Sequence, residues 1–532
     1  RLSLIKNVSK KHILYEIAGL NYRLKPKDRL KYDTSLETQI KELHYFCPID
    51  DRLYNHYAKI ASIYTKNKDE YSIIFNRVAN LFAIEEILNS NELKDIDNFT
   101  MCDVNVWDSI FKYLLSVNCE VTKINKNKPQ NITLENITPS SIVLNELMIE
   151  DNPVSVPYRG IKLLEFLSSH PKYGIEIETY FKNVIKIEPD KFIFNLLSLM
   201  VANNHEDKNM DFFYLTKGED SFLEYLSSNK IENNNPITLL SIKKAPFYKD
   251  SNNNGYIVLD LNFLIDKCYN FFVNDFWFDY LKPQKDDKGK DKFNFKDYRG
   301  AFGLFFENYI AEIIKNSFQH LKYPKPLLFD DLKIQTSVGM IEVSDIYIRQ
   351  NKKILVGQVK SCAIYDKEKY GGTINSLYKN NREKFFIDFG VNQVLNSILN
   401  IIKYGKSFDS NIPINKSLEF YPIIIMNEKI FQTPLMPNLF HNRFQELLSE
   451  NPIGFHKIHP LILIHISDLE YLESPLISKK IKIWDVLNAH LKGIKIMFPF
   501  NKISNKYISS FILNKKINDK IVTIIKKYSK EE

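Results

Sequence analysis

Val343-Ser344-Asp345-Ile346-Tyr347-Ile348, a polar segment over residues 349–353, and then Ile354-Leu355-Val356-Gly357-Gln358-Val359-Lys360-Ser361 form the stretch on which the fold turns. Both arms are rich in β-branched and aromatic residues, and the segment between them supplies turn chemistry, so the pattern predicts a β-hairpin. With Asn351-Lys352 as a two-residue loop, the numbers of cross-strand partners sum to that of the loop pair, 703. Asp345 then stands opposite Gln358, and Val343 opposite Lys360. Side chains alternate with period two, which puts Asp345, Gln358 and Lys360 on one face. Ile346, Ile348, Leu355, Gly357 and Val359 make the other face, an apolar surface suited to a core. A carboxylate, an amide oxygen and an ammonium on a half-buried sheet are costly to desolvate unless something pairs with them. A divalent metal and a phosphate would do so.

The flanks extend the pattern. Residues 299–318 place Phe302, Phe305, Phe306, Tyr309, Ile310, Ile313 and Ile314 at helical spacing, and Glu307 lies at the edge of that stripe. An edge carboxylate can face a cleft while its helix stays packed. Beyond the hairpin, residues 388–404 read as another helix, carrying Gln393. The apolar runs 421–426 and 460–466 are short enough for buried strands.

A hairpin Asp, a Gln-x-Lys on the second arm and a Glu on the preceding helix together resemble the PD-(D/E)xK, or restriction-endonuclease-like, nuclease superfamily in its QxK variant. The resemblance covers residues 297–470. It implies an α/β core, α+β overall: a mixed sheet flanked by helices in the order helix, three strands, helix, strand, with residues 332–337 as the first strand. It implies that Asp345, Gln358 and Glu307 bind Mg²⁺ or Mn²⁺, and that Lys360 orients and activates the attacking water. Gln393 is placed beside the metal or on a phosphate. Ser344 stands where the family name has Pro, which ligates nothing. Gln358 in place of a carboxylate removes one negative charge, so a hard cation leans harder on Asp345 and Glu307.

The function this implies is metal-dependent endonucleolytic hydrolysis of phosphodiester bonds, DNA ahead of RNA, in the manner of an effector of bacterial anti-phage or restriction-type defence. The alternative is a catalytically inactive nuclease-fold module that binds nucleic acid or scaffolds an assembly. No Gly-rich phosphate loop, GxSxG elbow or His-Glu-x-x-His occurs, so the sequence supports neither nucleotide hydrolysis nor serine or zinc hydrolysis. The five Cys and eleven His show no metal-ligand spacing, and Cys362 reads as packing beside the site.

At 532 residues the chain exceeds what one core usually supports. Three regions are expected. Residues 1–290 form a mostly helical domain for sensing, oligomerisation or substrate gating. Residues 291–470 form the nuclease-like domain, and 471–532 a basic extension. That extension holds thirteen Lys against five acids, a balance of +8 equal to the net charge of the whole chain. Lys515, Lys516, Lys526 and Lys527 are its nucleic-acid-binding candidates, since ammonium groups release counterions from a phosphate backbone. No apolar run reaches membrane-spanning length, the first residues show no secretory pattern, and the Cys are scattered, which predicts no membrane partner and a cytoplasmic location. A homo-oligomer or a defence-system partner protein is compatible with the large first region.

Overall fold

The turn expected at Asn351-Lys352 is present in the computed structural model. Asn351 takes φ 56°, a left-handed conformation that Asn tolerates better than most side chains, and Gln350 pairs with Lys353 across it. The structure describes residues 1–25, 32–47, 55, 59, 73–96, 104–124, 143–202, 214–216, 220–227, 238–250, 255–321, 324–337, 339–362, 386–493, 496–507 and 513–529.

In chain order the strands are β1 (Tyr214–Thr216), β2 (Phe247–Asp250), β3 (Gly255–Val258), β4 (Leu327–Leu328), β5 (Lys333–Thr336), β6 (Gly339–Glu342), β7 (Ile346–Gln350), β8 (Lys353–Lys360), β9 (Glu419–Met426), β10 (Lys457–Ile458) and β11 (Ile462–His465). The hairpin β7–β8 sets Ile346 opposite Gly357 and Tyr347 opposite Val356, the register read from the loop. On its other side β8 pairs parallel with β9, and β9 pairs parallel with β10 and β11. β4 closes the far edge, antiparallel to β7. The result is a mixed sheet in an α+β chain.

Because β8 is interior and both faces carry helices, residues 354–359 are buried throughout, where a half-buried hairpin was expected. The helix Val391–Tyr404 packs across β8 and β9. The helix Phe295–Ser317 lies against β8 and against the helix Ile466–Ile477, burying the Phe302, Phe305, Phe306, Tyr309, Ile310, Ile313 and Ile314 stripe.

Two expectations need correction. Residues 332–337 do not open the main sheet: β5 pairs with β6 in a separate two-stranded ribbon, and Leu327–Leu328 takes the edge place beside β7. Val343 does not pair with Lys360. Its N–H donates to the Leu332 carbonyl at 2.9 Å, so the chain leaves the hairpin before Asp345. Residues 261–281 divide into the helices Leu261–Asp266 and Asn270–Asp275 and a wider helical turn over Phe276–Leu281. The break has a packing cause. A Cβ on Gly160 would sit 2.3 Å from the Cys268 carbonyl oxygen, so the backbone at the break seats against a glycine that only a missing side chain permits.

Among the described residues before 290 helices predominate, including Arg77–Asn89, Val104–Ile124, Ser155–Ser169, Gly174–Tyr180 and Pro189–Ala202, with β1, β3 and β2 as a small antiparallel sheet. Buried charge links distant parts of this region: Arg77 donates to both oxygens of Asp260, at 2.8 and 2.6 Å, in a fully buried pair. Further polar contacts join it to the mixed sheet. Arg159 pairs with Glu470 at 2.9 Å, Lys429 with Asp151, and the Tyr269 hydroxyl donates to Asn427 Oδ1 at 2.9 Å. Each removes a donor and an acceptor from water together, so the two surfaces are specified for one another. Among the described residues no helix is long and apolar enough to cross a membrane.

Candidate functional site

Asp345 sits where β7 stops, and its own side chain explains the stop. Its backbone N–H still donates to the Gly357 carbonyl at 3.2 Å, but its Oδ2 accepts the Val359 N–H at 2.7 Å, taking the place of a strand acceptor. Ser344 completes the exit, its hydroxyl lying 2.9 Å from the Gly357 carbonyl and 3.0 Å from that of Ile346. Ser344 thus places one hydroxyl donor between two buried carbonyls.

Asp345 is 8 % exposed, and burial pushes its carboxyl up to about 6. The Val359 bond and the Lys360 ammonium pull it down, while the charges of Glu342 and Glu307 push it further up. Glu307, half-buried on its helix, is also raised, first by burial and next by Glu342, with Lys360 and Lys333 opposing. Asp345, Glu307 and Lys360 thus share one electrostatic neighbourhood. Burial, like charge and one cation produce this kind of perturbation at functional sites, and in structural ion networks too.

Gln358 is 5 % exposed, and its Nε2 donates to the Ser397 hydroxyl at 3.2 Å. Ser397 in turn donates to the Gln393 carbonyl at 2.8 Å, so towards Gln358 it can only accept. That chain of bonds orients the amide and leaves its oxygen as the group offered on the other side. Gln393 itself is exposed and lies at the same corner. The corner is built around Gly390, which caps the helix Val391–Tyr404 with φ 88°. A Cβ there would come within 2.7 Å of Lys360 Cε, 3.5 Å of Gln393 Oε1 and 3.6 Å of Gln358 Cβ. The lysine stem therefore lies against bare backbone, and among the described residues its ammonium enters no ion pair. Arg299, on the Glu307 helix, donates to the Ser361 carbonyl at 3.2 Å and holds the strand end beside Lys360. Burial pushes the Cys362 thiol up to about 12, which disfavours its thiolate.

Glu342, Ser397, Arg299 and Gly390 are site residues that the sequence pattern does not single out. Glu342 lies on the β5–β6 ribbon, away from the strands that carry the motif. Ser397 is one helical turn after Gln393, a spacing that could have suggested it.

The donor set fits a divalent cation in kind: two carboxylates, Asp345 and Glu307, and one oriented amide oxygen, Gln358. Among the described residues no group of three or more His, Cys, Asp or Glu side chains is placed to hold a metal ion.

The four tail lysines do not join this corner. The helix Lys515–Tyr528 buries Ile517, Ile521, Ile524 and Tyr528 and packs on Ser155–Ser169 and Pro189–Ala202. Lys516 pairs with Glu312 at 2.9 Å and with the fully buried Glu473 at 3.0 Å; Lys527 pairs with Asp190 at 3.3 Å. Lys515 and Lys526 are exposed, eleven residues apart and so on one helical face. Two of the four expected phosphate contacts are thus committed to carboxylates of the same chain. Lys516→Gln strands Glu473 in the interior and lowers stability by about 2 kcal/mol, whereas Lys515→Gln with Lys526→Gln leaves it unchanged. Thermal melting of the two variants checks this.

The chain matches no protein-family model, no curated protein and no solved structure.

Proposed function

We propose that the protein is a metal-dependent nuclease that hydrolyses phosphodiester bonds in nucleic acid, with its reaction centre at Asp345, Glu307, Gln358 and Lys360. The observation that carries the reading is the Asp345 carboxylate: nearly buried, raised by burial, fixed by the Val359 N–H and set beside an ammonium that has no ion-pair partner among the described residues. A carboxylate kept in this costly state by two strands, a helix and a glycine corner is suited to meeting a cation. Asp345, Glu307 and the Gln358 oxygen would hold a Mg²⁺ or Mn²⁺ ion, which supplies a more acidic bound water and neutralises charge on a phosphate. Lys360 presents its ammonium from the end of β8, where it can hold the nucleophile or the developing charge on the phosphoryl oxygens. Gln393 and Arg299 flank that position and are suited to phosphate oxygens. These roles follow the resemblance of the hairpin to PD-(D/E)xK nucleases.

The test uses purified full-length protein with duplex DNA, single-stranded DNA and RNA, each with Mg²⁺, Mn²⁺ or EDTA. Metal-dependent cleavage, strongest on DNA, is expected. Binding without cleavage in every metal arm would instead identify a nucleic-acid-binding module, the reading favoured by an amide, Gln358, where a carboxylate is commoner. Gln358→Glu separates the two further. It adds an anionic oxygen, so cleavage survives and half-maximal Mg²⁺ falls several-fold. Loss of cleavage in that variant would mean that the Gln358–Ser397 bond, rather than a metal–oxygen contact, is what the site requires.

A further inference from the structure

A cavity of about 260 Å³ opens outside the carboxyl ends of β9 and β11, where the 149–154 segment meets the start of the helix Ile466–Ile477. Crevices at the carboxyl ends of parallel strands are common ligand sites. Its surroundings are densely charged. Arg159 is bound to Glu470 at 2.9 Å, Lys429 to Asp151 and to Asp266 at 3.6 Å, and Lys25 to Glu150 at 3.4 Å. Every one of these cations is already committed to a carboxylate. Asp468 is the remaining acid, 4 % exposed, and among the described residues it has no cation in ion-pair range. Of these charged groups, three carboxylates (Glu150, Asp151 and Asp468) and two cations (Arg159 and Lys429) line the cavity itself.

Asp468 has a structural role, because its Oδ2 accepts the His465 N–H at 3.1 Å and so caps the helix. That role does not need a charge, since an Asn oxygen would accept the same bond. A buried carboxylate where an amide would serve is costly unless a cation arrives. His465 does not supply one: burial holds its imidazole down at about 3, its Nδ1 is 2.5 Å from the Ser467 hydroxyl, and its Nε2 is 3.1 Å from the Asn427 carbonyl. The helix end does not call for an anion either, because His465 and Asp468 already satisfy it.

We propose that this cavity binds a small organic cation, an ammonium- or guanidinium-bearing molecule whose charge is set against Asp468. The surplus of carboxylates disfavours phosphates and other anions. A bare metal ion is disfavoured because among the described residues no three metal-ligating side chains converge. The cavity has room for a body of several heavy atoms, and Asn152, Gln432, Ser467 and Tyr471 line it with groups that can hydrogen-bond the rest of the ligand.

Protonation gives the site a signature. Burial, and then the Glu470 charge, pushes Asp468 up to about 7, against the pull of the His465 N–H and the Gln432 amide. Asp151 is pushed up to about 6 by burial against the pull of Lys429, and Arg159 stays charged. A cation binds the ionised form of Asp468, so affinity falls about tenfold as pH drops from 8 to 6. The nuclease reading plays no part in this, and the test needs no cleavage. Calorimetric titration of the full-length protein at pH 8 uses agmatine, L-arginine, putrescine and spermidine, with sodium chloride at equal ionic strength and inorganic phosphate and ATP as anion controls. One of the cations binds, about tenfold more weakly at pH 6. Asp468→Asn binds at least tenfold more weakly at pH 8 and shows no Asp468-type pH slope. Binding of no cation, equal binding by the variant, or binding of phosphate or ATP instead would each overturn the proposal and leave a water-filled polar cavity. If Asp468→Asn fails to fold, the wild-type pH series decides.

Discussion

Asp345→Asn abolishes metal-dependent cleavage, by about 10³-fold or more, and at the same time raises the melting temperature of the metal-free protein at pH 8. The two effects share one cause. The native carboxyl, pushed up to about 6, keeps its proton to higher pH than the unfolded chain does, whose Asp titrates near the ordinary value of about 4. Wild type therefore loses stability as pH rises from about 4 to about 6, and the full deficit persists above that. The difference between the two values corresponds to about 2–3 kcal/mol. Asn keeps an oxygen for the Val359 N–H and carries no charge, so it escapes the deficit at pH 8 and gains nothing at pH 4. Melting in EDTA at both pH values, beside single-turnover cleavage in Mg²⁺, checks both halves. Adding Mg²⁺ stabilises wild type and not the variant, because only the carboxylate binds it. Equal melting at pH 8 would show that Asp345 is not the desolvated anion drawn from its burial.

Lys360→Met is the second large effect. Methionine keeps an apolar stem against Gly390 and removes the ammonium, so packing survives while cleavage falls by about 10²–10⁴-fold. Lys360 also pulls down both Asp345 and Glu307. Without it both carboxyls need a higher pH to ionise, so the acid limb of the remaining activity moves upward. A lysine that served only to pack the Gly390 corner would leave both rate and pH profile where they were. Measuring single-turnover rates from pH 5.5 to 9, with circular dichroism to confirm folding, separates these outcomes.

Much of the hairpin is legible in the sequence because its determinants are local. Asn351 can take a left-handed conformation, a two-residue loop permits one register, and strand alternation then assigns every side chain to a face. The Phe302–Ile314 stripe and the β9 and β11 apolar runs are readable for the same reason, since each carries its own period. The elements that differ from expectation depend on which of several possible partners is taken. Residues 332–337 have strand character, but strand character does not say that they pair with β6, which begins three residues after β5 ends, while Leu327–Leu328 takes the edge beside β7. Asp345 and Val343 look like continuations of β7 until Leu332 and Val359 are seen to claim their hydrogen bonds.

The tail illustrates the limit most clearly. Its thirteen lysines read as a phosphate-binding surface because charge counts carry no direction, yet Lys516 and Lys527 turn to Glu473 and Asp190. The hairpin, its loop, its register and the residue types gathered near its end are written in the order of amino acids, because they follow from short-range backbone geometry and side-chain period. Folding in three dimensions settles which charges are desolvated, which lysines are committed, how Ser397 orients Gln358, and that a carboxylate-rich cavity lies outside the carboxyl ends of β9 and β11. Burial and pairing are properties of surfaces brought together from tens to hundreds of residues apart, and no local pattern encodes them.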